Sequence, residues 1–212
     1  MLTIYGRHTS SNVQLVMWTV AEIGVPHDRL DYGRGFASTR TDDYLAMNPM
    51  ALVPAMRDGD VVMFESAAIM RYLGSKYGDD TFYPKDPDTR GPLDTWAEWG
   101  KNTFARAVSI IFHEQVSKPV EKQDPAIIAK GTATVTPLAQ ILNERLTRHD
   151  WLGGDQFTFA DVATGFQLYR YFNMDWSRPN LPALDAYYAR LQTRPAFRDH
   201  AMVSFETLRG IG

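Results

Sequence analysis

The chain has 212 residues, 44% hydrophobic and 22% charged, which is ordinary for a globular protein and enough to bury the cores of two small domains. A formal net charge of −3 leaves no basic stripe to displace counterions, which argues against a nucleic-acid partner. The absence of cysteine excludes disulfides, Cys-based metal sites and a CxxC redox pair, so any thiol chemistry must use a sulfur brought by a ligand.

Leu2-Thr3-Ile4-Tyr5 reads as a strand with no basic-then-apolar leader before it, which predicts a cytoplasmic protein. Ser10-Ser11-Asn12 begin a helix whose apolar run stops near Gly24. His27 to Tyr32 is a second strand, Gly33-Arg34-Gly35-Phe36 a loop, and Thr41 to Met47 a short helix ended by Asn48-Pro49. Asp58-Gly59 between two apolar runs predicts a hairpin with a type I′ turn. Its second strand, Val61 to Phe64, runs straight into a helix that opens on Glu65-Ser66. This strand–helix–strand–helix–strand–strand–helix order implies a mixed sheet with helices on its faces.

Gly78 through Lys85 is polar and aperiodic, and marks a boundary between a first domain, 1–80, and a second, 87–212. Asp86-Pro87 and Asp124-Pro125 each place an N-cap before a proline at the first helical position, opening segments over roughly 87–116 and 125–149. Pro92 and Pro137 should bend those helices or delay their start. Thr158-Phe159-Ala160-Asp161 has the form of a capping box and opens a helix to about Phe172, with Asp161 a cap and not a catalytic acid. Pro182 to Arg194 and Pro195 to about Leu208 also read as helical, so the second domain is all-α. Charge-free stretches such as Tyr44 to Met56, which holds two prolines, are too short to span a bilayer.

A hydroxyl and free N–H groups at a helix N-terminus suit a carboxylate, and an adjacent acid suits an ammonium. Glu65-Ser66 therefore fits a small zwitterion. Together with Val53-Pro54, the run Asn48-Pro49-Met50-Ala51-Leu52-Val53-Pro54 and the phrase Gly154 to Asp161, this constellation resembles the glutathione transferase family over nearly the whole chain. The resemblance implies an N-terminal thioredoxin-like domain with a mixed four-stranded sheet and an all-helical C-terminal domain. It further implies a cis bond between Val53 and Pro54, glutathione as co-substrate, and a homodimer. By the same resemblance Val53 and Pro54 hold the cysteinyl part of glutathione, and Glu65 and Ser66 its γ-glutamyl end. Relatives often carry Lys or Arg where Leu52 stands, to hold the glycyl carboxylate; Arg40 is the substitute cation in this chain.

A free thiol has a pKa near 8.5, so activation means stabilising its anion by a hydroxyl and a helix dipole. Ser10 falls where serine-type members carry the activating residue, and Asn12 where a bacterial branch carries its asparagine; Thr9 and Ser11 remain competitors. The implied reaction is conjugation of the thiolate to a small hydrophobic electrophile, held between the domains by Phe36, Trp99, Thr103 and Phe112. A glutathione-dependent peroxide or disulfide reductase, and a non-catalytic binding or scaffold protein of the same fold, stay open. The scattered histidines offer no metal-ligand spacing, so no metal is expected.

Overall fold

A computed structural model describes residues 1–211. Strands β1 (Leu2–Tyr5), β2 (His27–Leu30), β3 (Ala55–Asp58) and β4 (Val61–Phe64) form one sheet in the order β2-β1-β3-β4. β1 and β2 run parallel and the other pairs antiparallel, so the sheet is mixed as expected. Helices α1 (Ser11–Ile23), α2 (Asp42–Met47) and α3 (Ser66–Tyr77) connect and follow the strands. β2 ends at Leu30, short of Tyr32, whose carbonyl still accepts from Arg7 N (3.2 Å) and which bridges to Ala37, while Arg29 pairs with Asp31 (2.5 Å) and donates to the Gly6 carbonyl (2.9 Å).

The hairpin differs from expectation in its turn. Asp58 pairs with Val61, which makes Gly59-Asp60 the central residues, and of these only Gly59 has positive φ (61°). Glycine at the first central position alone fits a type II′ turn. The register is fixed from the α3 side: Asp58 Oδ2 accepts from Tyr72 (2.9 Å), Lys76 (2.7 Å) and Tyr77 (2.7 Å). Burial pushes the Asp58 carboxyl up, but these donors and the Lys76 charge prevail and hold it down at about 2.

Among the described residues after 86 there is no strand beyond an isolated Trp151–Gly154 bridge; the helices are α4 (Pro87–Glu98), α5 (Ala105–Phe112), α6 (Pro125–Leu146), α7 (Phe159–Gly165), α8 (Leu168–Asn173), α9 (Pro182–Thr193) and α10 (Pro195–His200). The Asp86 and Asp124 side chains cap as read, accepting from Thr89 N (2.9 Å) and Ala126 N (2.8 Å). Pro92 and Pro137 sit inside α4 and α6, and neither delays its helix. The 87–116 segment is one run of chain, but two turns of it, Trp99–Phe104 and His113–Ser117, are π-helical. The segment to Phe172 breaks between α7 and α8, and the last segment ends as a helix at His200, followed by a 3₁₀ turn at Glu206–Leu208. No helix of the described residues is long and apolar enough to cross a membrane.

Thr158 and Asp161 close a full capping box. Asp161 also accepts from Leu152 N (2.9 Å) and Tyr187 Oη (2.9 Å), and burial raises its carboxyl to about 6 against those hydrogen bonds. A small separate cluster of Tyr44, Met47 and Ala55 packs under α2, and one large apolar core joins the sheet layer to the helical layer. Trp18 of α1 is fully buried in it, its ring 4.8 Å from Phe197 and 5.9 Å from Phe157. Its Nε1 donates to Glu22 (2.8 Å), and Arg194 grips the same carboxylate with two donors at 2.8 and 2.6 Å while its guanidinium lies 3.7 Å over Phe157. This fork of charge, ring and indole fixes α1 against the helical layer, so the N-terminus of α1 has a set position relative to α5 and α7.

Candidate active site

Two clefts meet where α1 begins. The first, about 410 Å³, is lined by Ser10, Asn12, Leu52, Val53 and Ala51 together with Arg7, Arg34, Gly33 and Thr39. The second, about 310 Å³, is lined by Ser11 and Asn12 on one side, and by Lys101, Asn102, Ala105, Arg106 and Ser109 with Phe166 and Gln167 on the other. Asn12 belongs to both. Volumes of this size are those of small-molecule sites.

At the start of α1 the four candidate side chains have different surroundings. Ser10 is the N-cap residue, but its hydroxyl makes no cap hydrogen bond, so it is free to donate into the first cleft. Thr9 is 8% exposed and lines neither cleft; its carbonyl accepts from Arg170 Nη2 at 3.0 Å. Ser11 faces the second cleft. Asn12 accepts from Ser66 Oγ through Oδ1 at 3.4 Å, which joins the N-termini of α1 and α3. Two helix N-termini converging on one spot favour an anion there.

The floor of the first cleft is the loop that ends in Val53-Pro54, whose peptide bond is cis. Tyr44 Oη (2.7 Å) and Asn48 Nδ2 (2.8 Å) both donate to the Leu52 carbonyl and pin the loop from behind. The Val53 N–H and C=O have no partner among the described residues, which leaves a strand-like edge open to a ligand. Ala51 has φ 54°, and Glu65, just before α3, has φ 68°. Such left-handed conformations cost a non-glycine residue about 1–3 kcal/mol and concentrate at ligand-binding sites. Glu65 is exposed, Ser66 is buried, and neither they nor Pro54 line either cleft directly.

Three guanidinium groups lie close to one another near the start of α1. Arg170 is 7% exposed, stacks 3.9 Å over Phe112, and is lowered to about 9 by burial and by the charge of Arg7. Arg7 is lowered by burial and by Arg34, and its Nε has no partner. Arg7 and Arg34 line the first cleft, whereas Arg40 is exposed and lines neither. Leu52 lines the cleft with a side chain that cannot bind a carboxylate. Arg34 sits on the Gly33-Arg34-Gly35 loop, which curls back: Gly33 N donates to the Ala37 carbonyl (2.9 Å).

None of the four residues expected to hold the electrophile lines either of these clefts. Phe36 is half exposed on the outer loop and Thr103 is exposed. Trp99 packs on Trp96 (5.4 Å) and Phe104 (5.8 Å), and Phe112 is buried between Arg170 and Phe205. Phe36 lies on a loop of the first domain that turns it outward, whereas for the helical residues the reason is the π turn at Trp99–Phe104. Its i→i+5 hydrogen bonds shift the angular phase of the helical residues that follow, so i,i+4 spacing points the wrong side chains at the cleft. Lys101, Asn102, Ala105, Arg106 and Ser109 take that face instead. Gly100 permits the turn to sit against α7: a Cβ there would lie 2.0 Å from Thr164 Oγ1 and 2.8 Å from its Cα.

Sequence comparison places this geometry. Residues 1–75 match the model of the glutathione S-transferase N-terminal domain, and residues 106–195 that of its C-terminal domain. The chain is 34% identical to glutathione S-transferase GstB of Escherichia coli K12 over 96% of its own length and 99% of that protein's. The chain belongs to the glutathione S-transferase family. It is 27% identical to glutathione S-transferase F13 of Arabidopsis thaliana over 92% of its length and 93% of the relative's. In structure it superposes on the theta-class glutathione S-transferase of Xanthomonas axonopodis pv. citri, solved with glutathione bound, with a TM-score of 0.91 and 36% identity. That superposition covers 96% of this chain and 98% of the other.

Sequence reasoning missed Arg7, Arg34, Lys101, Arg106 and Gln167. Their one legible signal was polarity in apolar company: Lys101-Asn102 interrupts an otherwise periodic helix, and Gln167 falls in an apolar run. Burial pulls Lys101 down while Glu65 and Glu98 pull it up. Among the described residues no group of His, Asp and Glu is placed to hold a metal ion.

Proposed function

We propose that this glutathione S-transferase activates the thiol of glutathione with Ser10, assisted by Asn12, and transfers the sulfur to an electrophile in the second cleft. The observation that carries this is the meeting of two clefts at Asn12, with the uncommitted Ser10 hydroxyl in one and Lys101, Arg106 and Gln167 in the other. The domain spanning 1–80 supplies the glutathione cleft. The domain spanning 87–212 supplies one wall of the second.

In this reading the cysteinyl backbone of glutathione pairs with the open edge at Val53. Its glycyl carboxylate meets Arg34 and Arg7 in place of the cation missing at Leu52. Its γ-glutamyl end reaches Glu65 and Ser66, the first for the ammonium and the second, with the N-terminus of α3, for the carboxylate. The sulfur then lies at the N-terminus of α1, where the dipole and the Ser10 hydroxyl stabilise the thiolate. The thiolate attacks the electrophilic carbon, a C–S bond forms, and the leaving group departs with its electron pair. No covalent bond to the protein is made. A homodimer and a cytoplasmic location belong to the same reading.

Tryptophan fluorescence under glutathione titration tests binding. A saturable change at millimolar ligand or below is expected; a flat response up to that range would leave only the non-catalytic alternative.

A further inference from the structure

The second cleft has the wrong chemistry for a purely apolar guest. Only Ala105 and Phe166 give it apolar surface, and the aromatic side chains of the adjoining helical run, Trp99, Phe104 and Phe112, are packed elsewhere. Lys101 and Arg106 both line it, and neither has a carboxylate within ion-pair distance among the described residues. The acid nearest Lys101 on its own run of helix, Glu98, is already taken by Arg71 at 2.6 Å and by Asn102 at 2.5 Å. Glu65, the other acid acting on Lys101, is the residue assigned to the ammonium of glutathione. Two like charges in a half-closed cleft make a positive potential that an anion relieves. Gln167 adds a second observation. It is 2% exposed, its Nε2 reaches Ser109 Oγ at 3.5 Å, and its Oε1 has no partner. That open oxygen is an acceptor, so it marks the cleft as polar without itself holding an anion; the two cations do that.

We infer that the electrophile is anionic: a small aromatic or alkyl body against Phe166 and Ala105, carrying a carboxylate that pairs with Lys101 and Arg106. The inference rests on the glutathione transferase reading and narrows its second substrate. The carboxylate takes no part in bond making. It docks the molecule so that the carbon bearing the leaving group faces Asn12 and the sulfur.

The test uses a matched pair, 4-chloro-3,5-dinitrobenzoate and its methyl ester. In both, the glutathione sulfur displaces chloride from the ring: a C–S bond forms, the C–Cl bond breaks, and chloride leaves with the electron pair. Each kcat/KM is divided by the uncatalysed rate with glutathione, which removes the difference in intrinsic reactivity. The full-length wild-type chain should favour the carboxylate by about tenfold or more, chiefly through KM, and lose most of that preference when salt rises from about 0.02 to 0.3 M. Lys101→Gln and Arg106→Gln should each reduce the preference about three- to tenfold, and Lys101→Arg should restore most of it. Equal normalised values for the two compounds, or a preference untouched by the double Gln variant, would overturn the inference while leaving the transferase reading intact. Failure to conjugate either compound above the uncatalysed rate would remove both. The salt dependence of the wild type keeps the test decisive if a variant folds poorly.

Discussion

Ser10→Ala should separate activation of the thiol from binding of the tripeptide. The Ser10 side chain makes no cap hydrogen bond, so its loss leaves α1 without a broken cap and should cost little stability. What is lost is one hydrogen bond to a charged sulfur, about 1.5–3 kcal/mol, which raises the bound thiol by about 1–2 pH units. Below both thiol pKa values the thiolate fraction then falls about 10- to 150-fold. A more basic thiolate is the better nucleophile, with a Brønsted slope of about 0.4–0.5, which returns part of that loss. The net fall in kcat is about 4- to 20-fold near pH 6 and vanishes, or reverses, near pH 9. The assay is the pH–rate profile for chlorodinitrobenzene, paired with ultraviolet absorbance of the bound thiolate. Coincident profiles for wild type and variant would refute the role given to Ser10, and the same profile displaced by Ser11→Ala would transfer it.

Ser66→Ala should weaken glutathione binding by about 1.5–3 kcal/mol in calorimetry, because its 3.4 Å bond to Asn12 is long and easily exchanged for a carboxylate. Ala51→Gly should raise stability by about 0.5–1 kcal/mol in urea unfolding, since φ 54° is strained for alanine and free for glycine; a loss of stability would contradict the assigned strain. The Asp58 carboxyl is held near 2 when folded and lies near 3.9 when unfolded, so its contribution is present above about pH 4 and is lost as pH falls toward 2. With solvent screening at Lys76, that contribution is about 1–2 kcal/mol, and Asp58→Asn should remove this part of the acid sensitivity of the midpoint.

Features written in local chemistry were legible before any coordinates. Asp86-Pro87, Asp124-Pro125 and Thr158 with Asp161 specify caps through side chain and backbone alone, and all three form. The existence of the hairpin followed from Asp58-Gly59, but its turn type did not, because the register is set by Tyr72, Lys76 and Tyr77 twelve or more residues away. The cis bond at Val53-Pro54 came only from family resemblance. In the second cleft a π turn, which apolar spacing cannot reveal, shifts the phase of the helical residues that follow it, while Phe36 lies on a loop whose direction no periodicity sets. Arg34 was overlooked because its place in the first cleft depends on a loop closing over residues 33–37, a tertiary event with no periodicity.

The most direct test of the account is a crystal structure of the chain with glutathione bound. The account predicts the tripeptide in the first cleft, backbone paired with Val53, glycyl carboxylate at Arg34, and sulfur within about 3.5 Å of Ser10 Oγ. A sulfur turned away from both Ser10 and Asn12 would contradict it.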